Sequence, residues 1–147
     1  MPMTVLVKTK GFQELEVYFQ ETKNRSNDLN PPLKKSVNIM FRSIDSNFRQ
    51  SGRPIPWKPL ALSTIKQKFK QRYSIMPLIR TGQLRRSITG FVDKNKMRMG
   101  TSVPYAPYHQ FGTRRIPKRT FLVFQDKDVQ QINRLVAEHI IGRKVSG

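Results

Sequence analysis

The apolar residues between Leu33 and Phe48 recur every three or four positions, and this pattern constrains the fold more than any other feature. The positions are Leu33, Val37, Met40, Phe41, Ile44 and Phe48. Such spacing places them on one face of an amphipathic α-helix. Asn30 as N-cap and Pro31 in the first turn suit the start of this helix. It ends before Ser51-Gly52-Arg53-Pro54, where glycine and proline break the pattern.

Weaker patterns predict the elements on either side of this helix. Residues Thr4 to Val7 form an apolar run that suits an edge strand. Gly11 to Thr22 is predicted to be a helix, because its apolar residues recur at helical spacing. Ile88 to Val92 and Lys96 to Gly100 alternate like two strands of a hairpin. Asp126 to Ile141 is a C-terminal helix ended by glycine. The expected fold class is α+β, a small antiparallel sheet packed against amphipathic helices.

The middle of the chain predicts short elements and loops. A third helix is expected to bury Leu62, Ile65, Phe69 and Tyr73 and to expose Lys66, Lys68, Lys70 and Arg72. A helical turn follows from Thr81 to Ser87, with Thr81 as its cap. Pro104 to Pro117 is mostly loop, and Phe121 to Phe124 suits a strand.

Length and composition indicate one domain spanning residues 1–147. The chain has no cysteine, which excludes disulfides and cysteine-based metal or redox sites. No apolar run approaches the ~20 residues that cross a bilayer, and the N-terminus lacks the apolar core of a signal peptide. We therefore expect a soluble protein that is made in the cytosol and has no contact with a membrane.

The charge of the chain is extreme and uneven. It holds 28 Lys and Arg against 9 Asp and Glu, a formal net charge of +19. From Arg53 to Arg119 there are sixteen basic residues and a single acidic one, Asp93. Such a field attracts polyanions or an acidic protein. A nucleic-acid ligand, a nucleic acid that is merely close by and an acidic protein partner all fit.

The residues available for catalysis or for binding a cofactor are few. His109 and His139 have no carboxylate or second histidine at the spacing of a metal site or a catalytic dyad. Asp126 and Asp128 suit the positive end of a helix better than an acid pair. No phosphate-binding glycine loop is present. We expect no enzyme activity, catalytic residue, metal or cofactor.

The aromatic and basic residues favour contacts with other molecules. Tyr105, Tyr108, Phe111 and Phe121 suit buried anchors better than base-stacking platforms, since proline and alanine surround the tyrosines. Trp57 suits a cap over the core. Four basic residues lie in a proline-bounded loop with few carboxylates nearby, which favours a contact role there. They are Arg114, Arg115, Lys118 and Arg119.

Several blocks of the sequence resemble the phage virion morphogenesis family, which includes tail-completion proteins. The blocks are Trp57-x-x-Leu60, the run from Leu78 to Ile88, Gly100, Tyr105-Ala106, His109-Gln-Phe-Gly112 and Pro117-x-Arg119-x-Phe121-Leu122. The resemblance extends from about Leu33 to the C-terminal helix. In the last block, Lys118 and Thr120 replace the alanine and second proline that are common in the family.

The resemblance implies a structural protein of the virion that acts in tail completion or head–tail joining. Related proteins assemble as rings, commonly sixfold, around the channel for DNA. It thus implies a homo-oligomer that contacts head-connector proteins, tail-tube or tail-terminator proteins and, non-specifically, DNA. It would assemble in the host cytoplasm and end in the virion, at the head–tail junction or the tail end.

Three groups of site residues follow. The candidates for assembly contacts are Trp57, Tyr105, His109, Phe111 and Phe121. The candidates that face DNA or an acidic partner are Lys66, Lys70, Arg72, Arg85, Arg86, Arg114, Arg115, Lys118 and Arg119. The expected turn and scaffold residues are Thr81, Gly82, Gly100, Gly112 and Pro117. The alternative functions are a dedicated nucleic-acid-binding protein and a small basic nuclease or toxin.

Overall fold

Four strands and five helices make up the part of the chain that the structure describes. This computed structural model describes residues 3–8, 13–19, 28–93 and 95–141. In chain order the elements are β1 (Met3–Lys8), β2 (Gln13–Phe19), α1 (Asn30–Arg49), α2 (Leu62–Lys70), α3 (Gln83–Arg86), β3 (Thr89–Asp93), β4 (Lys96–Thr101), α4 (Ala106–Phe111) and α5 (Asp126–Ile141). The predicted α+β fold, with a long helix in the N-terminal half and a C-terminal helix, is confirmed.

The strands form one antiparallel sheet in the order β1-β2-β4-β3. β1 lies at an edge, as predicted, and β3 and β4 form the predicted hairpin. Met97 and Met99 are fully buried, whereas Arg98 between them is half-buried. This confirms the expected alternation of one buried and one open face. Lys94, in the predicted turn, lies outside the described residues.

The helix predicted for Gly11 to Thr22 is wrong, because this segment contains β2. In the register of the sheet, Leu15 pairs with Met99 and Val17 with Met97. The same segment also alternates apolar and acidic residues with a period of two, which is the pattern of a strand. The long-range pairing with β4 decides between the two patterns, since it satisfies the backbone of both strands.

Helix α1 is the central element, and it contacts β3, β4 and α5. Leu33, Met40, Ile44 and Phe48 are at most 1% exposed, which confirms the predicted apolar face. Phe41 is 36% exposed and lies at the margin of that face. The core of the protein is therefore built around one side of α1.

The start of α1 differs in detail from the prediction. The N-cap residue is Leu29, and Asn30 is already helical. The Asn30 side-chain oxygen instead accepts the N–H of Asn95 at 3.0 Å, and the Asn95 side chain accepts the N–H of Leu29 at 2.9 Å. Asn30 therefore joins α1 to the β3–β4 turn, a partner that local sequence does not reveal.

Helix α5 has the predicted bounds, and Ile132 and Val136 are buried. The carboxylate of Asp128 accepts a hydrogen bond from the N–H of Gln125 at 3.0 Å, which satisfies a free donor at the helix start. It also accepts one from the hydroxyl of Ser43 on α1, so the same carboxylate ties the two helices together. Gly142, the predicted stop, lies outside the described residues.

Helix α2 forms as predicted, but its expected buried face is wrong. No residue of α2 is buried, and Leu62 and Phe69 are 75% and 76% exposed. Tyr73 lies beyond the end of the helix. The periodicity identified an apolar face correctly, but the described chain covers it only in part: Ile65 is half-buried, and Leu62 and Phe69 are exposed.

Three local predictions around the aromatic loop are also corrected. Residues 106–111 of the expected loop form α4. Pro107 is compatible with this helix because it lies in the first turn, where its missing N–H costs nothing. The cap position of α3 is Gly82, and Thr81 makes no capping hydrogen bond. Phe121 to Phe124 is irregular rather than a strand, since a side chain supplies its hydrogen bonds, as described below.

Candidate functional site

A cavity of about 740 Å³ lies between α2, the segment that follows it, α3 and α4. Its polar lining includes Lys68, Arg80, His109 and Arg119. Its apolar lining includes Leu60, Leu78, Ile79 and Leu84, with the rings of Tyr73 and Tyr105. None of the described residues that line it is Asp or Glu. We call this space the basic cavity.

The wall formed by α4 and the segment after it is held in place by Gln110, which is 3% exposed. The Gln110 side-chain oxygen accepts the N–H groups of Phe121 and Leu122, each at 3.1 Å. Its amide nitrogen donates to the C=O of Leu122 at 2.8 Å. One buried side chain thus replaces a neighbouring strand for this stretch of backbone.

The loop between α4 and Arg119 folds back on itself at Gly112. Gly112 has φ +76, and a Cβ there would lie 2.9 Å from the backbone nitrogen of Lys118. Thr113 closes the tip, because its N–H donates to the C=O of Ile116 at 2.8 Å. Next to this loop, the N–H of Arg119 donates to the C=O of His109 at 2.8 Å. The fold-back therefore brings Arg119 beside α4.

Arg119 is a buried cation with no described acidic partner. It is 6% exposed, and its guanidinium donates to the C=O of Lys58 at 2.9 Å and of Pro59 at 3.3 Å. Burial lowers its pKa from the ordinary arginine value. Carbonyl oxygens thus hold this charge in position, but within the described chain no carboxylate neutralises it.

Lys68 is a second partly buried cation in the basic cavity. Its ammonium donates to the C=O of Met76 at 2.9 Å and of Ile79 at 3.0 Å. Burial lowers the pKa of Lys68, and the charges of Arg119 and Arg80 lower it further. The prediction that Lys68 lies on the outer face of α2 is therefore wrong: it points inward and fastens α2 to the following segment.

His109 is half-buried, and its Nδ1 is buried with no hydrogen-bond partner in the part of the chain that is described. Burial lowers its pKa, and the positive charge of Arg119 lowers it further. The ring meets that of Tyr105 edge-on at 6.0 Å. Among the described residues, no group of three His, Cys, Asp or Glu side chains is placed to hold a metal ion.

The other aromatic candidates divide between the core and the surface. Trp57 is 8% exposed, packs edge-on against Phe48 and donates from its ring nitrogen to the C=O of Thr120 at 3.0 Å. Phe121 is fully buried. Tyr105 and Phe111 are 37% and 43% exposed. Of these candidates, Tyr105 and Phe111 present a ring on the surface of the protein, as does Tyr108, which is 54% exposed.

The basic candidates also divide. Arg85 donates twice to the carboxylate of Asp45, at 2.5 and 2.9 Å, so its charge is already paired. Arg86 is exposed and donates to the C=O of Thr81 at 3.1 Å. The remaining exposed basic candidates are Lys66, Lys70, Arg72, Arg114, Arg115 and Lys118. Arg119 alone of the nine is buried.

The scaffold candidates lie where the chain turns or packs closely. Gly82, with φ +83, comes directly before α3, and the exposed Thr81 comes directly before Gly82. Gly100 is buried in β4, and Pro117 is half-buried in the loop that Gly112 closes. Of these five positions, Thr81 alone lines the basic cavity.

Sequence reasoning missed Gln110, Asn47 and Arg53. Asn47 is fully buried, donates to the C=O of Phe121 at 2.8 Å and accepts from Arg53 at 2.9 Å. A polar residue on the apolar face of α1 was the one available signal for Asn47. Gln110 lies in the motif His109-Gln-Phe-Gly112, but the motif does not show that its side chain binds the backbone of a later segment. The contacts of Arg53 with α1 depend on how the chain turns back after that helix.

Fold and composition together define a strongly basic α+β protein. No helix in the described part of the chain has the length and apolar character needed to cross a membrane. Residues 11–141 match the model of the phage virion morphogenesis family. The chain therefore belongs to this family, and the resemblance inferred from its motifs is confirmed.

A curated relative supports the same assignment. The chain is 34% identical over 126 residues to the Mu-like prophage FluMu G protein 2 of Haemophilus influenzae, an alignment that covers 80% of each chain. No solved structure matches the chain significantly. A role in phage virion morphogenesis is thus established at the level of the family.

Proposed function

We propose that the protein acts in tail completion or head–tail joining, as a homo-oligomeric ring around the channel through which DNA passes. Its family and its likeness to a Mu-like prophage protein support a structural role in the virion. In this role the protein is not an enzyme. It lies at the head–tail junction or the tail end, where it contacts head-connector proteins and tail-tube or tail-terminator proteins.

The exposed apolar face of α2 is the observation that carries the proposal. Leu62 and Phe69 on this helix, and Ile55 seven residues before Leu62, are each at least 75% exposed. Burying one such side chain is worth roughly 1.5–3 kcal/mol. A helix that leaves these residues in water is therefore suited to pack against another protein surface.

A closed ring needs two different patches that bind each other on neighbouring subunits. The α2 face is one patch. The second patch consists of the exposed rings of Tyr105, Tyr108 and Phe111 on α4 and at its start, the last two being 54% and 43% exposed. Aromatic residues of this kind are enriched at protein interfaces.

The positive charge determines what a ring of this protein can contact. Subunits that each carry a net charge of +19 repel one another unless a polyanion or an acidic protein compensates. The exposed basic residues of α2 and of the loop after Gly112 therefore face DNA in the channel or an acidic neighbour. Assembly should accordingly depend on salt.

The double substitution Leu62→Ser and Phe69→Ser tests the apolar contact. We expect the wild-type protein to form a ring in light-scattering measurements at moderate salt or with DNA, and the double variant to stay monomeric with an unchanged circular-dichroism spectrum. Phe91→Ser removes an exposed aromatic side chain on β3 and is the matched control. A wild-type monomer at every salt and protein concentration, with and without DNA, contradicts the ring.

Electron microscopy of particles made without this protein tests the joining role separately. Separate heads and tails, or unfinished tails, are the expected products. Complete and infectious virions in the absence of the protein would contradict a role in tail completion or joining.

A further inference from the structure

The basic cavity concentrates positive charge without a counterion. Lys68, Arg80 and Arg119 line it, and the described residues of its wall include no carboxylate. Within the same described ranges, the short ion pairs of Asp45 lie elsewhere, with Arg85 and Arg49. The cavity thus has the electrostatics of a site for an anion that the described residues do not themselves provide.

Two of these cations are held rigidly in place. Carbonyl oxygens of Lys58 and Pro59 fix the guanidinium of Arg119, and its Nη1 makes no hydrogen bond within the described chain. The Lys68 ammonium uses two of its three donors on Met76 and Ile79. Each group therefore keeps a donor available for a ligand, and binding requires little reorganisation.

Because Arg119 is buried, an anion bound next to it would stabilise its charge. Arg119 is 6% exposed, and a buried charge is costly unless an opposite charge or strong hydrogen bonds compensate. The pKa values of Arg119 and Lys68 are both lowered, by burial in the first place, which is the signature of incomplete compensation. A carboxylate in the cavity would restore the balance.

The rest of the lining indicates what carries the carboxylate. Leu60, Leu78, Ile79 and Leu84 form apolar walls, and Arg80 lies over the ring of Tyr73 at 4.6 Å from its centre. A volume of about 740 Å³ has room for a few side chains. Apolar walls suit leucine or phenylalanine next to an acidic residue, whereas the phosphates of duplex DNA lie on a broad convex surface.

We propose that the basic cavity binds an acidic segment of a partner protein, with an Asp or Glu carboxylate between Lys68 and Arg119 and an adjoining apolar side chain against Leu60 and Leu78. A second copy of this chain is the weaker occupant, because it carries the same net charge of +19. The inference goes beyond the proposed function: it concerns a single subunit and holds whether or not a ring forms.

Titration calorimetry with synthetic peptides on the full chain tests this site. The probe is a short peptide of alternating Asp or Glu and Leu or Phe. A second peptide has Asn and Gln in place of the acids, and a third consists of glutamate alone. We expect saturable binding of the first peptide, and affinities at least about tenfold weaker for the other two. NMR shifts should appear at Leu60, Leu78 and Tyr105.

Matched variants separate the site from general charge attraction. Lys68→Met should weaken peptide binding about tenfold, whereas Lys66→Met, the same change on the exposed side of α2, should stay within about twofold. Because Lys68 also fastens α2, a second pair of variants leaves the Lys68 contacts intact. Arg80 and Arg72 are both exposed, but only Arg80 lines the cavity, so Arg80→Gln should weaken binding about fivefold and Arg72→Gln should not.

Three results would overturn the proposal. One is the absence of saturable binding of the acidic–apolar peptide. Another is an equal loss of affinity in Lys66→Met and Lys68→Met, or in Arg72→Gln and Arg80→Gln, which would mean attraction by net charge alone. The third is displacement of the peptide by an equal concentration of a single-stranded oligonucleotide or of inorganic phosphate, which would assign the cavity to nucleic acid or to a free anion.

Discussion

Gln110 forms hydrogen bonds with both backbone groups of Leu122, accepting its N–H at 3.1 Å and donating to its C=O at 2.8 Å. The same side-chain oxygen accepts the N–H of Phe121. This contact joins α4 to the segment that carries the buried Phe121 and Leu122, and Arg119 lies just before them. The wall of the basic cavity therefore depends on one amide side chain.

Gln110→Leu should lower the free energy of unfolding by about 3 kcal/mol, because it leaves two N–H groups and one C=O buried without partners. For a chain of this size, that corresponds to a fall in Tm of roughly 10 °C. Thermal unfolding followed by circular dichroism measures the change. Gln130→Leu, at an exposed position on α5, is the control and should leave Tm within about 2 °C.

The Arg85–Asp45 pair should make stability depend on acid pH. The hydrogen bond from Arg85 lowers the pKa of Asp45 below 3.8, the value that applies in the unfolded chain. The stabilisation is thus present above about pH 4 and is lost as the pH falls through the lower folded pKa. Because these side chains are 33% and 39% exposed, solvent screening limits the effect to about 1 kcal/mol or less.

Chemical denaturation of Arg85→Ala at pH 7 and near pH 2 measures this contribution. The variant should be less stable than wild type at pH 7, and the difference should shrink at the lower pH. Arg42→Ala, an exposed arginine on the same helix as Asp45, should show little change at either pH. An equal loss in both variants would mean that the removal of any arginine side chain from this surface, and not the loss of this pair, lowers stability.

His109 should destabilise the fold as the pH falls below neutral. Its folded pKa lies below the unfolded value of 6.5, so the unfolded state takes up the proton first. Stability is thus complete above about pH 6.5 and declines as the pH drops from there towards the folded pKa. His109→Gln should flatten the dependence of Tm on pH between about 7 and 5. His139→Gln, at an exposed site, should keep it.

Gly112→Ala should destabilise the loop that precedes Arg119. Gly112 has φ +76 and ψ 165, a region that only glycine adopts without strain, and an added Cβ would meet the backbone of Lys118. We expect a cost of about 1–3 kcal/mol in the free energy of unfolding. Arg114→Ala, in the same loop and exposed, is the control and should cost less than about 0.5 kcal/mol.

Elements whose structure is indicated by their own local sequence pattern were predictable. Helices α1 and α5 and the β3–β4 hairpin have periodic apolar residues and nearby start and stop signals, and all three formed where expected. The spacing of the motifs from Trp57 to Leu122 was sufficient to indicate the family. Local sequence sets these features because residues within a few turns of one another already satisfy most of their hydrogen bonds.

Other features depend on which distant segments meet. The segment of β2 fits a helix or a strand until its pairing with β4 decides. The apolar stripe of α2 does not indicate that the described chain buries none of its residues. The basic cavity and the Gln110 contact likewise join residues from separate elements. Periodicity tells which face of an element is apolar. Only the tertiary structure decides what lies against that face, because burial and buried hydrogen bonds are properties of the assembled chain.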